Sequence, residues 1–341
     1  LNIYISQMIC YHGYPSVEYK VLTRDGYYLG LNRIPHGREG PRNKATAAKP
    51  VVFLQHGLLG ESSNWVENLA GNSLGFILAD SGYDVWLGNS RGTTSSRRHK
   101  HLSVDQEEFW DFSFHEMAMY DLPAMIDFVL QKTGQKQINY VGYSQGCSIA
   151  FIAFSSMPEL ARKIKIFFAL APVTAIKHTE SPIMKIPFLL DTQCRTIKVG
   201  DYTSSSCSSS IKSNDIEYVS LQSRLDVYTA HFPDGTSVKN MMHWAQVGSL
   251  KSFDYGSGNQ AIYHQETPPS YKIEEMPVPT AVWSGGKDWT ADWRDVSFLL
   301  PRIANVVYYR NITDWNHWDF IWGMDAPKHL YSKIIELMEL F

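Results

Sequence analysis

Ser144 is the residue whose setting most clearly implies chemistry. It lies in Ile138-Asn139-Tyr140-Val141-Gly142-Tyr143-Ser144-Gln145-Gly146-Cys147, where an apolar strand runs into a Gly-x-Ser-x-Gly turn and then a helix. Such a turn is too sharp for side chains at its flanks, so glycine stands at 142 and 146 and the hydroxyl is pushed out on top of the sheet. The helix that follows aims its unpaired N-terminal amides at the same spot, which favours an oxyanion formed when a serine attacks a carbonyl.

A nucleophilic serine needs a base, an orienting acid and a second oxyanion donor. His56-Gly57-Leu58-Leu59-Gly60 follows the apolar run Val51-Val52-Phe53-Leu54-Gln55, at a strand end from which a backbone amide can reach the oxyanion. The competing reading makes Gly57 a simple turn and His56 a satisfied core residue. Asp288 ends Pro279-Thr280-Ala281-Val282-Trp283-Ser284-Gly285-Gly286-Lys287-Asp288, and His317 lies in the loop after the last strand. The order Ser144, Asp288, His317 is that of an α/β-hydrolase triad, in which the imidazole takes the serine proton and the acid holds its tautomer. Asp314 and Asp319 flank His317 and stand as rival acids.

The elements that must carry these residues alternate. Val17 to Thr23 and Tyr27 to Ile34 read as a hairpin around Arg24-Asp25-Gly26. Residues 51–55 form a buried strand, Ser73 to Asp80 a helix, and Tyr83 to Gly88 another buried strand leading to Asn89-Ser90-Arg91-Gly92. Apolar residues recur at helical spacing from Glu116 to Thr133, with Asp121 before Pro123 marking a cap or a kink. A helix from Ile149 to Ser155 and a strand from Lys165 to Leu170 follow the serine, after which the alternation stops. It resumes at Pro279, with a helix over Asp292–Leu300, a strand over Asn305–Arg310 and a closing helix over Pro327–Leu340. The expected fold is α/β, an α/β-hydrolase core with a mostly parallel central sheet and an insertion over it, called the cap below. Residues 1–172 and 266–341 make the core, and 173–265 the cap. Within the cap, Thr203 to Ser210 is serine-rich and reads as a mobile loop, because such a run buries little. Met241-Met242-His243-Trp244 reads either as the lining of a greasy pocket or as a packed helix without ligand contact.

Composition bounds the rest. With 341 residues, 44% hydrophobic and 19% charged, the chain can bury one large core. A net charge of -3 gives no reason to expect nucleic acid, and the run Arg97-Arg98-His99-Lys100 reads as a solvated loop. No stretch approaches the roughly 20 apolar residues of a membrane span, and the start at Leu1 has no signal-peptide pattern, as in a processed form. None of the four cysteines makes a Cys-x-x-Cys pair, so neither a zinc site nor a thioredoxin-like motif is expected. Cys194 and Cys207 are spaced to close a loop; such a bridge would add roughly 3 kcal/mol and imply an oxidising compartment. Asn311-Ile312-Thr313 is a glycosylation sequon. No cofactor or metal is called for.

Five stretches together carry a resemblance: Leu54-Gln55-His56-Gly57-Leu58, Tyr83 to Gly92, Ser144-Gln145-Gly146, Gly285-Gly286-Lys287-Asp288 and Asn316-His317-Trp318-Asp319-Phe320. They resemble the acid lipase family of gastric, lysosomal and epidermal lipases, along almost the entire chain. Arg224-Leu225-Asp226-Val227-Tyr228 and Gly235-Thr236-Ser237-Val238 extend the likeness into the second half of the cap. The resemblance implies a Ser144-Asp288-His317 triad, an oxyanion hole from the amides of Leu58 and Gln145, hydrolysis of neutral-lipid esters at a lipid–water interface, and a secreted or lysosomal place of work. The chain departs from the family at Tyr143, where His is usual, and at Cys147-Ser148, where two threonines are usual. Between Leu189 and Ser220 it is shorter than the family and does not resemble its lid-bearing part. The family's cap disulfide does not carry over to Cys194 and Cys207, whose neighbours do not align. A shortened cap leaves other readings open: a short-chain esterase with an open site, a peptidase or thioesterase on the same scaffold, or an inactive lipid-binding protein.

Overall fold

The computed structural model describes residues 4–40, 49–181, 224–246 and 248–341. The serine-rich run and the pair Cys194 and Cys207 lie outside the described residues.

Among the described residues eight strands form one sheet: β1 (Val17–Leu22), β2 (Tyr28–Ile34), β3 (Val51–Gln55), β4 (Asp84–Gly88), β5 (Ile138–Tyr143), β6 (Ile164–Leu170), β7 (Thr280–Gly285) and β8 (Val306–Ile312). Their order is β1-β2-β4-β3-β5-β6-β7-β8. The β1–β2 and β2–β4 pairs are antiparallel, as the hairpin reading requires, and every pair from β4 to β8 is parallel. Every residue of β3, β4, β5 and β7 is buried, because helices cover both faces and a parallel strand then has no wet side. β8 ends the sheet, and Val306, Val307 and Tyr309 are exposed on it. The strand runs two residues beyond the expected Arg310, so the sequon's Asn311 lies in its ladder opposite Ser284.

The helix expected over Glu116–Thr133 is not uniform. A π turn covers Met117–Asp121 and the α-helix occupies Leu122–Thr133. Asp121 caps nothing; its carboxylate instead accepts from the backbone and guanidinium of buried Arg91. Arg91 also pairs with Asp25 and lies over the Tyr27 ring, which supplies partners for a charge that burial would otherwise penalise. The basic run is less solvated than expected. Arg97 donates to the Gly92 carbonyl, and the His99 ring bonds to the Asp25 carbonyl.

Ser144, Asp288 and His317, expected to be nucleophile, acid and base, all follow the carboxyl ends of parallel strands, β5, β7 and β8, with β6 between the first two. In open α/β sheets that edge is where ligands bind.

Candidate active site

Ser144 has φ 53° and ψ −119°, a backbone conformation rarely adopted by a residue with a side chain. It is bent there because β5 passes directly into the helix Gln145–Ser156, and the two glycines make room. A Cβ at Gly142 would meet the Gly146 carbonyl oxygen at 2.7 Å, and one at Gly146 would press into the Gln55 carbonyl at the end of β3. Gly57 is constrained from the opposite side, since its Cβ would lie 2.9 Å from that of Ser144. The motif's glycines are thus explained by backbone packed tightly on both sides of Ser144.

The triad residues meet. His317 Nε2 lies 2.9 Å from Ser144 Oγ, and His317 Nδ1 lies 2.8 Å from Asp288 Oδ2. All three are nearly buried. The other Asp288 oxygen accepts from the Thr290 and Ala291 amides at 2.9 and 2.8 Å, so this carboxylate is fixed in rotation and supplied with donors. Gly285 and Gly286 let its loop lie against the histidine loop: Gly286 N donates to the Ile312 carbonyl and Lys287 N to the Trp315 carbonyl, both at 2.9 Å. The rival acids have other work. Asp314 is exposed and pairs with Lys287, while Asp319 accepts from Asn316 N at 2.7 Å and so shapes the turn carrying His317. Burial pushes the Asp319 carboxyl up to about 6.

Tyr143, where the resemblance leads one to expect His, donates its hydroxyl to the His317 carbonyl at 2.9 Å and packs its ring against the imidazole. Burial raises its phenol well above the ordinary value, so it remains a donor. Cys147 is also buried, which pushes its thiol up, and its sulfur points to the Gly142 and Leu170 carbonyls.

Leu58 and Gln145 line the same cleft as Ser144, and among the described residues neither backbone N–H has an acceptor. Gln145 is the first residue of its helix, where such an orphan donor is expected. His56 fixes the Leu58 peptide. Ser90 N donates to His56 Nε2 at 3.1 Å, so the proton sits on Nδ1, which donates to the Gly57 carbonyl at 2.8 Å. Because a trans peptide points its C=O and N–H in opposite directions, holding the Gly57 oxygen turns the Leu58 N–H away from His56. Both readings of His56-Gly57 therefore apply: His56 is a satisfied core residue, and by that bonding it orients the next amide. Complete burial lowers its imidazole to about 4, which keeps it neutral.

The remaining cleft wall is formed by Tyr143, Val173, Ser181, Phe232, Trp244, Thr290 and Trp318, with His317 at the reacting end. Met241-Met242-His243-Trp244 divides between its two readings. Trp244 lines the cleft, whereas His243 stacks on Phe114 and bonds to Ser113 and the Lys251 carbonyl. Sequence reasoning missed Phe232 and Trp318, although an aromatic residue next to His317 was a usable signal. It also missed that Asn240 and Trp244 both donate to the Gln145 side-chain oxygen, at 2.9 and 2.7 Å, because no local pattern links positions so far apart. Asn311 donates its side-chain nitrogen to Ser284 Oγ at 2.8 Å and is half-buried.

Comparison with known proteins adds to this geometry. Residues 50–324 match the family described as alpha/beta hydrolase fold, and residues 5–69 match the partial alpha/beta-hydrolase lipase region. The chain is 52% identical to the lysosomal acid lipase/cholesteryl ester hydrolase of Homo sapiens, over all of this chain and 92% of that protein. It is 53% identical to lipase member K of Homo sapiens, covering 99% of this chain and 91% of that one. With the gastric triacylglycerol lipase of Rattus norvegicus the identity is 48%, over 99% and 92%. The match to the human lysosomal protein runs over 368 aligned positions against 341 residues here, so that relative has residues without a counterpart in this chain. Among solved structures, a thermophilic esterase from Thermogutta terrifontis superposes with a TM-score of 0.60 at 13% identity, over 95% of this chain and 98% of that one. An epoxide hydrolase from Bacillus megaterium does so with 0.60 at 11%, over 94% and 100%. At such identities the likeness is one of fold, and it spans different chemistries.

Proposed function

The chain belongs to the acid lipase family, and from that premise we propose that it hydrolyses the carboxylic esters of neutral lipids, acylglycerols or sterol esters, through an acyl-enzyme on Ser144. The observation that carries the reading is the Ser144–His317–Asp288 chain of contacts at 2.9 and 2.8 Å, in a protein about half identical to named lipases.

In this reading His317 Nε2 takes the Ser144 proton as Oγ attacks the ester carbonyl, and Asp288 holds the imidazole in the tautomer that can accept it. The carbonyl oxygen becomes an oxyanion between the Leu58 and Gln145 amides, donors already in place and without acceptors among the described residues. His317 then gives its proton to the leaving alcohol. Water, deprotonated by the same imidazole, attacks the acyl-enzyme and releases the acid. Phe232, Trp244 and Trp318 give the cleft an apolar wall suited to an acyl chain. Residues 1–172 and 266–341 are read as the core and 173–265 as the cap, with lysosomal or secreted work and a lipid–water interface as the setting. No helix among the described residues is long and apolar enough to cross a membrane.

One observation favours a second reading. The human lysosomal relative carries residues this chain lacks, and if they belong to the cap the site is more open and suits short or soluble esters. A panel of esters of rising acyl length, beside an amide and a thioester, separates the two. A lipid enzyme gains roughly 0.8 kcal/mol of binding for each methylene it buries. Specificity that rises with chain length supports the lipase; a flat profile supports the short-chain esterase, and preference for the amide or thioester contradicts both.

A further inference from the structure

The turn that carries the Leu58 amide is held on one side by the core and on the other by residues 231–234. On the core side, the Gly57 carbonyl accepts from His56 and from Gly60 N. On the other side stands Leu59, a left-handed residue with φ 58°, a conformation strained for a leucine that persists only when its surroundings impose it. Two contacts do so. The Leu59 carbonyl accepts from Asp234 N at 2.7 Å, and two residues on, Glu61 Oε1 lies 2.8 Å from His231 Nδ1. The two side chains of that pair are about nine-tenths buried.

We propose that His231 is a positioning residue for the oxyanion hole: its imidazolium, bonded to Glu61, holds the Leu58–Glu61 turn in the shape that presents the Leu58 amide, and loss of its proton slackens the turn. The inference rests on the reading of Leu58 as an oxyanion donor.

The charges around the pair give the proposal its sign. Glu61, Glu67 and Asp234 all face His231, and against its own burial they raise its proton affinity above that of a free imidazole. The nearby cations are otherwise engaged, Arg97 with Asp234 at 3.4 Å and Arg224 with the Glu67 carbonyl. Neutral His56 adds no charge on the Glu61 side. A group whose folded-state affinity is raised contributes fully below its unfolded value of 6.5, and the contribution fades as pH rises through the folded value. With the imidazolium gone, three acidic side chains share one pocket and only a neutral N–H is left to Glu61, so on this side the turn is held by that weaker bond and the Asp234 amide.

The test measures kcat and KM on a water-soluble p-nitrophenyl ester from acid to mildly alkaline pH, for the wild type, His231→Phe, His231→Asn and Ser144→Ala. In His231→Phe the bond is absent, and kcat is expected to fall roughly ten-fold at acid pH with KM little changed, as for a loosened catalytic geometry. In His231→Asn the amide nitrogen takes the place of Nδ1 without titrating. That protein should hold kcat at every pH near the level the wild type falls to at alkaline pH, above that of His231→Phe, and lose the alkaline decline the wild type shows. Inhibition by a trifluoromethyl ketone, whose bound adduct needs the oxyanion hole, should weaken in step with kcat in His231→Phe. If Ser144→Ala is inactive while His231→Phe keeps the wild-type kcat and profile, or changes KM alone, the latch is overturned and the serine-hydrolase reading stands. Activity that persists in Ser144→Ala overturns that reading and the latch with it. Should His231→Phe fail to fold, His231→Asn decides: a profile identical to the wild type's overturns the proposal.

Discussion

The two halves of the cleft are built differently. The proposed relay half, Ser144, His317 and Asp288, is assembled at the carboxyl ends of β5, β7 and β8, and its supports come from residues beside its own members: backbone amides next to Asp288, the Asp319 carboxylate on the Asn316 amide, and the hydroxyl of Tyr143, the neighbour of Ser144, on the His317 carbonyl. The oxyanion half takes part of its support from residues 224–246, far along the chain, through His231 and Asp234 on one donor's turn and Asn240 and Trp244 on the other donor's side chain. The second half is also rich in buried ionisable groups whose affinities burial has displaced, Glu67 up to about 7, Asp234 up to about 6 and His56 down to about 4. The difference teaches that the first half is held by its own loops and strand ends, whereas the second is also held from residues 224–246, through side chains that include a titrating histidine.

Breaking the relay half should have the largest effect. Asp288→Asn leaves the contact geometry but offers the imidazole an amide, which favours the wrong tautomer, and kcat should fall on the order of 10⁴-fold with KM nearly unchanged. Steady-state kinetics on a soluble ester checks this, and a loss of less than ten-fold would point to Asp314 or Asp319 after all. Gly146→Ala attacks the floor that both halves share. The added methyl presses on the Gln55 carbonyl, a backbone atom that cannot swing aside, and a loss on the order of 3 kcal/mol or outright failure to fold is expected. Denaturant unfolding reads it.

These two substitutions fall where the sequence was most legible. The Gly-x-Ser-x-Gly run and the unbroken apolar strands are local patterns that strand-to-loop geometry forces on the chain, so the fold and the candidate serine could be read from residues a few positions apart, and Asp288 and His317 from their places after later strands. The π turn at Met117–Asp121 could not, because Asp121 looks like a cap until Arg91, thirty residues away in sequence, is found to occupy it. The same holds for the oxyanion half: the His231–Glu61 and Asn240–Gln145 bonds join positions 170 and 95 apart, with no periodicity to announce them. The basic run misled for the reverse reason, since charge alone suggested solvent where Gly92 and Asp25 carbonyls were waiting.

The contrast sharpens through Glu67. Its folded-state affinity is raised from the ordinary 4.5 to about 7 by burial, although Ser63 and Trp322 donate to it. Its ionised form therefore weighs on the folded state, by nothing below 4.5 and by an amount growing to on the order of 3 kcal/mol above 7. Glu67→Gln should gain stability relative to the wild type as pH rises across that window, read as a difference in thermal unfolding. A difference independent of pH would contradict the assignment. The smallest effect is expected from Tyr143→Phe, which removes one buried bond to the His317 carbonyl and should cost about 1 kcal/mol of stability with a modest fall in kcat.

The central claim is that Ser144 is the nucleophile of a neutral-lipid esterase. The most direct test exposes the wild type and Ser144→Ala to an alkyl phosphonate, locates the adduct by peptide mass spectrometry, and follows hydrolysis of a long-chain triacylglycerol in parallel. The account predicts an adduct on the Ser144 peptide of the wild type, and loss of both label and hydrolysis in the variant. An adduct on another residue, or triacylglycerol hydrolysis that survives the substitution, would contradict it.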